Sequence, residues 1–305
     1  MTTLTGRTAN RPNAAALMPA VFVFLWSTGF IGGKLGLPYA EPMTFLSIRF
    51  AIVAACLAAL ALLVGAPWPR GRQIAHVAVA GLLLHGVYLG GVFASIHAGV
   101  EAGTSALIVG VQPILTAILA GPVLGEKVTL RQWAGLLLGL AGIVLVVEHK
   151  LEQGLGSPAG MALSVMALVG ITAGTLYQKR FCAAMDLRAG NAVQFLAAFL
   201  LTGALALALE SRVVDWSGEF VFALGWLVIV LSFGAITLLM LLIRQGAASR
   251  VASLFFLVPP MTALIAWFLF GERFGPLAIA GMVLVAVGVA LVNLPLPRPA
   301  RSERP

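Results

Sequence analysis

Several polar and aromatic side chains interrupt long apolar stretches of this sequence. In an apolar environment such groups are costly unless they have a partner or a function. The amide of Gln112 and the phenol of Tyr88 can exchange hydrogen bonds with a small polar molecule, while Arg49 can attract a carboxylate. These residue types predict binding rather than bond breaking. The candidate substrate contacts are Trp26, Arg49, His85, Tyr88, Gln112 and Gln194.

Four of these side chains also have a purely structural explanation. Arg49 lies about one turn inside its apolar stretch, so its long side chain can reach the outer surface. His85 and Tyr88 share one helical face and can form hydrogen bonds between helices, although the imidazole of His85 can also carry a proton. Trp26 can stack on a ring of the substrate or fill space in the core. The sequence leaves these alternatives open.

Prolines interrupt two of the apolar stretches at corresponding places. Pro113 follows Gln112 in one stretch, and Pro259 and Pro260 interrupt another. Proline removes a backbone hydrogen bond and bends or breaks a helix. Paired breaks in corresponding segments indicate a binding site between two similar halves, although prolines can also serve packing alone. We therefore expect these three prolines to break helices and to act in gating.

The sequence argues against several kinds of chemistry. No Asp or Glu lies in the middle of an apolar stretch, so a proton relay through central carboxylates has no carrier. No nucleotide-binding loop is present, and Cys56 and Cys182 belong to no zinc-ligand pattern. We expect no catalytic residue, no metal and no cofactor, and the protein is not expected to be an enzyme.

The composition defines the elements that must position these residues. The chain is 60% hydrophobic and only 10% charged, with a mean hydropathy of +1.02, whereas a soluble domain carries about 25% charged residues. This is a membrane protein, and its net charge of +8 needs no nucleic-acid partner because basic residues also set membrane topology. Ten stretches can span the roughly 30 Å of hydrocarbon. They are 17–36, 44–64, 74–96, 102–124, 131–148, 158–178, 191–209, 220–243, 248–270 and 276–293.

One part of the chain occurs twice. Residues 102–147 align without a gap with residues 248–293, and fourteen of the 46 positions are identical. The matches include Pro113 with Pro259. Proline is not interchangeable with other apolar residues, so this match carries more weight than a match between two of them. Internal repeats decide architecture. The expected organisation is a cytoplasmic tail at 1–16, a first five-helix repeat at 17–148, an extracytoplasmic linker at 149–157, a second repeat at 158–293 and a cytoplasmic tail at 294–305.

The loop charges predict the orientation. With the N-terminus in the cytoplasm, most Lys and Arg of the short loops fall on the cytoplasmic side, as the positive-inside rule requires. Each half contains five helices, an odd number, so the second half enters the membrane from the opposite face. The predicted fold is an all-α integral membrane protein of ten transmembrane helices in two inverted repeats, with both termini cytoplasmic.

Glycines predict how the two halves meet. Gly135 and Gly142 share a face of the fifth helix, and Gly281 and Gly288 repeat them in the tenth. Glycine lets helix backbones approach closely. We expect the fifth and tenth helices to pack against each other.

These residues together resemble the ten-helix EamA-type exporters of the drug/metabolite transporter superfamily. The resemblance covers about 17 to 293, and it implies a central cavity lined by the first four helices of each half. It also implies export of amino acids or related metabolites across the plasma membrane. The small four-helix multidrug relatives use a Glu in their first helix, and this chain has none there. The features that carry the resemblance are the run Trp26-Ser27-Thr28-Gly29-Phe30, Arg49, and the breaks Gln112-Pro113 and Val258-Pro259-Pro260, each followed by Gly-Glu at 125–126 and 271–272.

The expected function is export of small metabolites through the inner membrane, by alternating access around a midplane cavity. The expected partners are a small-molecule substrate and membrane lipid, with no nucleic acid. A monomer is expected to work alone, and a dimer is not excluded by the sequence. An importer or uncoupled facilitator of the same fold is the alternative. An enzyme or a non-transporting membrane protein is less favoured, because His76, His85 and His97 have no clustered carboxylate or Cys.

Overall fold

The computed structural model describes residues 14–100, 102–151, 156–270 and 275–294, and within these ranges the protein is helical. The exception is one isolated β-bridge between Ala40 and Val214. Eight helical spans in the described residues are long and apolar enough to cross a membrane, which confirms the all-helical membrane class. They are Pro42–Leu63, Arg72–His97, Thr104–Leu124, Pro158–Phe181, Leu187–Leu209, Gly218–Gln245, Ala248–Ile265 and Pro276–Asn293, and two shorter apolar helices cover Leu17–Gly29 and Leu130–Val146.

Several of these spans consist of more than one helix, because the helical hydrogen bonding changes partway along them. The described residues form fourteen α-helices. They are α1 (Ala14–Gly36), α2 (Pro42–Leu63), α3 (Arg72–Gly81), α4 (Tyr88–His97), α5 (Ala102–Val109), α6 (Gln112–Leu124), α7 (Leu130–Leu151), α8 (Pro158–Phe181), α9 (Leu187–Leu209), α10 (Gly218–Trp226), α11 (Ile236–Gln245), α12 (Ala248–Ser253), α13 (Val258–Phe270) and α14 (Pro276–Asn293).

The irregular turns recur in the two halves. A π-helical turn, Leu82–Val87, joins α3 to α4, and a second, Leu227–Ala235, joins α10 to α11. The second begins 145 positions after the first, close to the offset of 146 that aligns the sequence repeat. A 3₁₀ turn, Leu254–Leu257, likewise joins α12 to α13. Single π-helical turns inside α-helices are often found at functional sites.

The helix starts explain where the prolines lie. Pro113 stands in the first turn of α6, after a break at 110–111, and Pro259 and Pro260 stand in the first turn of α13. The first turn is where a missing backbone N–H costs least. The α-helical pattern changes next to both positions, at 110–111 and at Leu254–Leu257, and the roles of these prolines in breaking helices and in gating stay predictions. Sequence chemistry also starts α7, because Thr129 and Gln132 bond each other reciprocally as a capping box.

Two long helix contacts join the N-terminal and C-terminal halves. One is α2 along α9, and the other is α7 along α14. In the second contact a Cβ on Gly135 would lie 2.5 Å from the carbonyl oxygen of Gly288, and one on Gly142 would lie 2.6 Å from that of Gly281. Atoms cannot approach so closely, so only glycine fits between these backbones. The structure thus places the four glycines in one helix–helix contact.

The carboxylates of Glu41 and Glu210 form hydrogen bonds between the loops at one end of the α2–α9 contact. Glu210, which follows α9, accepts hydrogen bonds from the backbone N–H groups of Met43 (2.7 Å) and Thr44 (2.6 Å) in the first turn of α2. Glu41, which precedes α2, accepts from the backbone N–H of Ser211 at 2.6 Å and from its hydroxyl. A carboxylate at a helix N-terminus satisfies free N–H groups and complements the helix dipole.

Substitution of Gly142 by Ala tests the α7–α14 contact. The new Cβ must push two backbones apart, and overpacking of this kind typically costs about 1–3 kcal/mol. We expect a clearly lower melting temperature in detergent. Gly121→Ala is the matched control, because a Cβ there meets no atom closer than 3.7 Å. Equal melting temperatures for the two variants would contradict the close approach.

Acid titration tests the Glu41 contact. The Ser211 hydroxyl and backbone N–H hold the pKa of Glu41 below its ordinary value of 4.5. A lowered folded-state pKa stabilises the protein above the unfolded pKa, and this stability is lost as the pH falls through the folded value. Glu41→Gln, which mimics the protonated acid, should therefore melt below the wild type at pH 7, and the gap in melting temperature should narrow as the pH falls below 4.5. A gap in melting temperature that does not change with pH would refute this.

Candidate functional site

A cavity of about 430 Å³, measured to its open mouth, lies among the broken helices. Clefts between the helices of a bundle are common places for ligand sites. Its walls come from α1, α4, α5, α6, α8, the 3₁₀ turn and α13, and so from both halves of the chain. The lining residues are Trp26, Tyr88, Val92, Ser105, Ala106, Val109, Gly110, Gln112, Ile171, Phe255, Val258 and Pro259.

The irregular turns bring key residues to this cavity. Tyr88 is the first residue after the π-helical turn Leu82–Val87, and Gln112 is the first residue after the break between α5 and α6. Phe255 lies inside the 3₁₀ turn. Irregular backbone within a membrane is tolerated where it is buried in protein or lines a cavity. The interrupted parts of the helices therefore form the walls of the cavity.

Aromatic rings form one wall of the cavity. The rings of Trp26 and Tyr88 are nearly parallel, with an angle of 8° between their planes and 6.5 Å between their centroids. Phe255 packs edge-on against Trp26, with 5.2 Å between the centroids. All three side chains are at least nine-tenths buried. This wall offers flat apolar surface to a planar or hydrocarbon group.

Gln112 is the main polar group of the cavity. Its Nε2 donates to the hydroxyl of Thr116 at 3.1 Å, while its Oε1 is buried without a hydrogen-bond partner. A buried acceptor that remains unpaired is destabilising. A substrate that donates an N–H or O–H to this oxygen would remove that cost.

A chain of serines holds three helices behind the cavity. The Ser164 hydroxyl of α8 donates to Ser105 of α5 at 2.9 Å, and it is 2.7 Å from the hydroxyl of Ser95 of α4. All three serines are fully buried. Because the hydroxyls satisfy one another, they fix the spacing of these helices at little electrostatic cost.

None of the described lining residues of the cavity is an Asp, Glu, Lys, Arg or His. Its polar groups are an amide, a phenol, a hydroxyl and an indole N–H. A net charge placed here would meet no opposite charge, and burial of an unpaired charge is costly. The site therefore suits an uncharged group, or a molecule whose own charges are neutralised elsewhere.

The other three predicted contacts, Arg49, His85 and Gln194, do not line this cavity. Arg49 is only 3% exposed, and its Nε and Nη2 donate to the hydroxyl of Ser232 at 3.1 and 3.0 Å. The alternative that Arg49 reaches the outer surface is wrong, because Ser232 holds it inside the protein. The ring of His85 stacks on Phe195, and Gln194 Nε2 donates to the carbonyl oxygen of the Gln178 side chain at 2.7 Å.

An ion pair joins the two halves beyond one end of the broken helices. Glu126 Oε1 lies 2.7 Å from Lys179 Nζ, and Glu126 Oε2 accepts from the backbone N–H of Ala248 at 2.8 Å. Lys179 also donates to the carbonyl of Gly246. We call this set the Glu126 clamp; it connects the end of α6 with the end of α8 and the start of α12. The matching Gly271-Glu272 of the second half lies outside the described residues.

Sequence reasoning missed several of these residues. Phe255 looks like ordinary core, and only its place four residues before Pro259 hints that the helix is interrupted there. Ser164 and Ser232 are short polar residues in apolar runs, a weak signal. Lys179 was counted only as a loop charge, because its partner Glu126 lies in the other half of the sequence.

Comparison with known proteins identifies the same repeat. The model of the EamA-like transporter family matches residues 13–148 and again residues 158–294. A solved structure described as "Crystal structure of protein" superposes with a TM-score of 0.77 at 20% identity, over 92% of this chain and 96% of the other. At that identity the likeness shows a shared fold.

Curated relatives cover nearly the whole chain at low identity. The "Uncharacterized inner membrane transporter YedA" of Escherichia coli (strain K12) is 27% identical, over 88% of this chain and 87% of its own length. The "Probable amino-acid metabolite efflux pump" of the same strain is 24% identical, over 90% and 92%. The "Probable terminal-alkyne amino-acid exporter" of Streptantibioticus cattleyicolor is 27% identical, over 89% and 90%.

Proposed function

Because this chain belongs to the EamA-like transporter family, we propose that it exports small metabolites, amino acids or related compounds, through the inner membrane. One observation carries the proposal: a cavity lies where the helices of both halves are broken, and it is lined by Gln112, whose side-chain oxygen is buried without a partner. The efflux functions of two similar proteins support export of this class of compound.

The proposed architecture is ten transmembrane helices in two inverted five-helix repeats, 17–148 and 158–293, with both termini cytoplasmic. The double match of the family model and the recurrence of the π-helical turns support the repeat. The excess of basic residues in loops on one side supports the orientation. One chain supplies both walls of the cavity, which supports a working monomer in contact with membrane lipid.

In this proposal the substrate spans the cavity. A donor group, such as an amine, bonds Gln112 Oε1, and an apolar side chain lies against Trp26, Tyr88 and Phe255. An aromatic or hydrocarbon group gains affinity from that wall because it leaves water.

Alternating access requires that the two halves separate at one end while they close at the other. The Glu126 clamp has the properties of such a closure. It joins the halves by a half-buried ion pair and by a carboxylate bonded to α12, and α12 continues into the 3₁₀ turn that lines the cavity. Opening of the clamp would therefore move the cavity wall.

Efflux from proteoliposomes tests the proposed function. The vesicles are loaded with a mixed pool of amino acids and small metabolites, and mass spectrometry records which compounds leave faster than from protein-free vesicles. Selective loss of one compound class supports transport and names the substrate. Loss that occurs in both directions without a gradient favours a facilitator over an exporter, and selective uptake favours an importer. No selective movement in either direction rejects the transport proposal.

Gln112→Ala tests the substrate contact in the same vesicles. Loss of a hydrogen bond in a desolvated site costs about 1–3 kcal/mol, so we expect efflux at low substrate concentration to fall about tenfold or more. The melting temperature should stay within a few degrees of the wild type. Gln73→Ala, in the first turn of α3, is the control and should transport normally. Wild-type flux in Gln112→Ala would remove this residue from the site.

Glu126→Gln tests the clamp. The amide keeps an acceptor for Ala248 but loses the charge that holds Lys179. In Ser249→Cys, with the native cysteines replaced by Ser, we expect a maleimide to label position 249 several times faster once Glu126→Gln is added. Ser249 is 2% exposed and lies beside the clamp. Glu219→Gln, which removes the charge of a carboxylate that accepts from Tyr39 instead, should leave labelling unchanged; equal rates in both variants would refute the clamp.

A further inference from the structure

A buried positive charge without an opposite charge is the strongest unexplained feature of the molecule. The guanidinium of Arg49 is held by one neutral hydroxyl, that of Ser232. In the described part of the chain, carboxylates pair with Lys179 and Arg188, but none lies within ion-pair distance of Arg49. Buried charges are normally paired, because burial removes the water that would stabilise them. Arg49 is therefore a buried cation whose charge is not neutralised by any carboxylate in the described part of the chain.

The surroundings of Arg49 contain a second polar group. Phe50 contacts both Arg49 and His85, with 5.8 Å from the guanidinium carbon and 6.2 Å from the imidazole centroid to its ring centroid. The side chains of His85 and Gln194 are both buried and lie near enough to interact through a hydrogen bond. Neither side chain carries a negative charge, so this pair does not neutralise Arg49.

The backbone around this group is irregular in both halves. His85 lies in the π-helical turn Leu82–Val87, and Ser232 lies in the corresponding turn Leu227–Ala235. The hydroxyl of Ser232 also donates to the carbonyl of Leu227, five residues earlier, which is the spacing of a π-helix. Ser232 is therefore fixed with its oxygen toward Arg49. Irregular turns of this kind are costly and persist where they serve a function.

We propose that Arg49, with Ser232 and His85 beside it, binds one small monovalent anionic group, a carboxylate or a halide ion. We call this the Arg49 site. The guanidinium fork matches a carboxylate through two parallel N–H bonds and also suits a single spherical anion. The rings of Phe50 and Phe195 lie next to the guanidinium and the imidazole.

The Arg49 site complements the uncharged cavity. A zwitterionic metabolite that bonds Gln112 through its amine finds no partner for its carboxylate among the cavity residues. If the anionic group is that carboxylate, the assignment rests on the proposed function. If it is a free halide ion, the site stands independently of what the protein transports. The chemistry at Arg49 is the same in both cases.

Anion titration of the purified full-length protein tests the site. Melting temperatures are measured in detergent at constant ionic strength, as sodium chloride or sodium acetate replaces the sodium salt of a bulky sulfonate, which has no carboxylate. In separate series, glycine, or glycinamide as its sulfonate salt, is added at the same ionic strength. We expect a saturable rise with at least one of the small anions. Arg49→Gln should abolish it, while Arg188→Gln, which removes an exposed Arg, should retain it.

A second variant keeps the test decisive if Arg49→Gln does not fold. Arg49→Lys preserves the charge but loses the fork, so the half-saturating anion concentration should rise about tenfold. A response to chloride identifies a free anion, and a response to acetate and glycine but not to chloride or glycinamide identifies a carboxylate. No saturable response in the wild type, or an unchanged response in the Arg49 variants, overturns the proposal. Failed efflux together with a persistent anion response would reject the proposed function and keep the Arg49 site.

Discussion

A backbone N–H or C=O that leaves its helix inside a membrane must find another partner, because hydrocarbon offers none. This constraint decides where the chain can be irregular. Its π-helical turns, its 3₁₀ turn and its break at 110–111 all lie where protein surrounds them, at the cavity or at Arg49. Side chains that are close in space supply the missing partners. The hydroxyl of Ser27 donates to the carbonyl of Val258 next to the proline pair, and the hydroxyl of Thr262 donates to the carbonyl of Ser27.

The two halves meet through close backbone packing at one place and through polar contacts at another. Along α7 and α14, glycines bring the backbones so close that no added carbon fits, and such a contact changes only if whole helices separate. At the Glu126 clamp the halves meet through an ion pair and hydrogen bonds, with side chains about one-fifth exposed. Such bonds can open through movement of side chains and loop ends. A rocking mechanism requires one contact that stays closed, such as the α7–α14 contact, and one that can open, such as the Glu126 clamp.

Charged and uncharged groups lie in separate parts of the protein interior. The cavity wall is aromatic and aliphatic with a few neutral polar groups, whereas the one buried cation described here stands apart from it beside His85. Separation of the two lets an apolar group meet the aromatic wall without the desolvation of a charge. It also leaves a buried positive charge at Arg49 that a negative group can neutralise.

The sequence by itself determined the membrane class, because 60% hydrophobic residues with 10% charged cannot form a soluble domain. It also predicted helix breaks before Gln112 and at Pro259, since proline acts through its own ring and missing N–H. The glycine faces followed from helical periodicity. The sequence also selected Trp26, Tyr88 and Gln112, which line the cavity together. Only the tertiary structure decided that Arg49, His85 and Gln194 stand apart from them, that Ser232 holds Arg49 inside, and that Lys179 pairs with Glu126. Those outcomes depend on which helices of the two halves meet, and contacts between residues more than fifty positions apart leave no local pattern in the sequence.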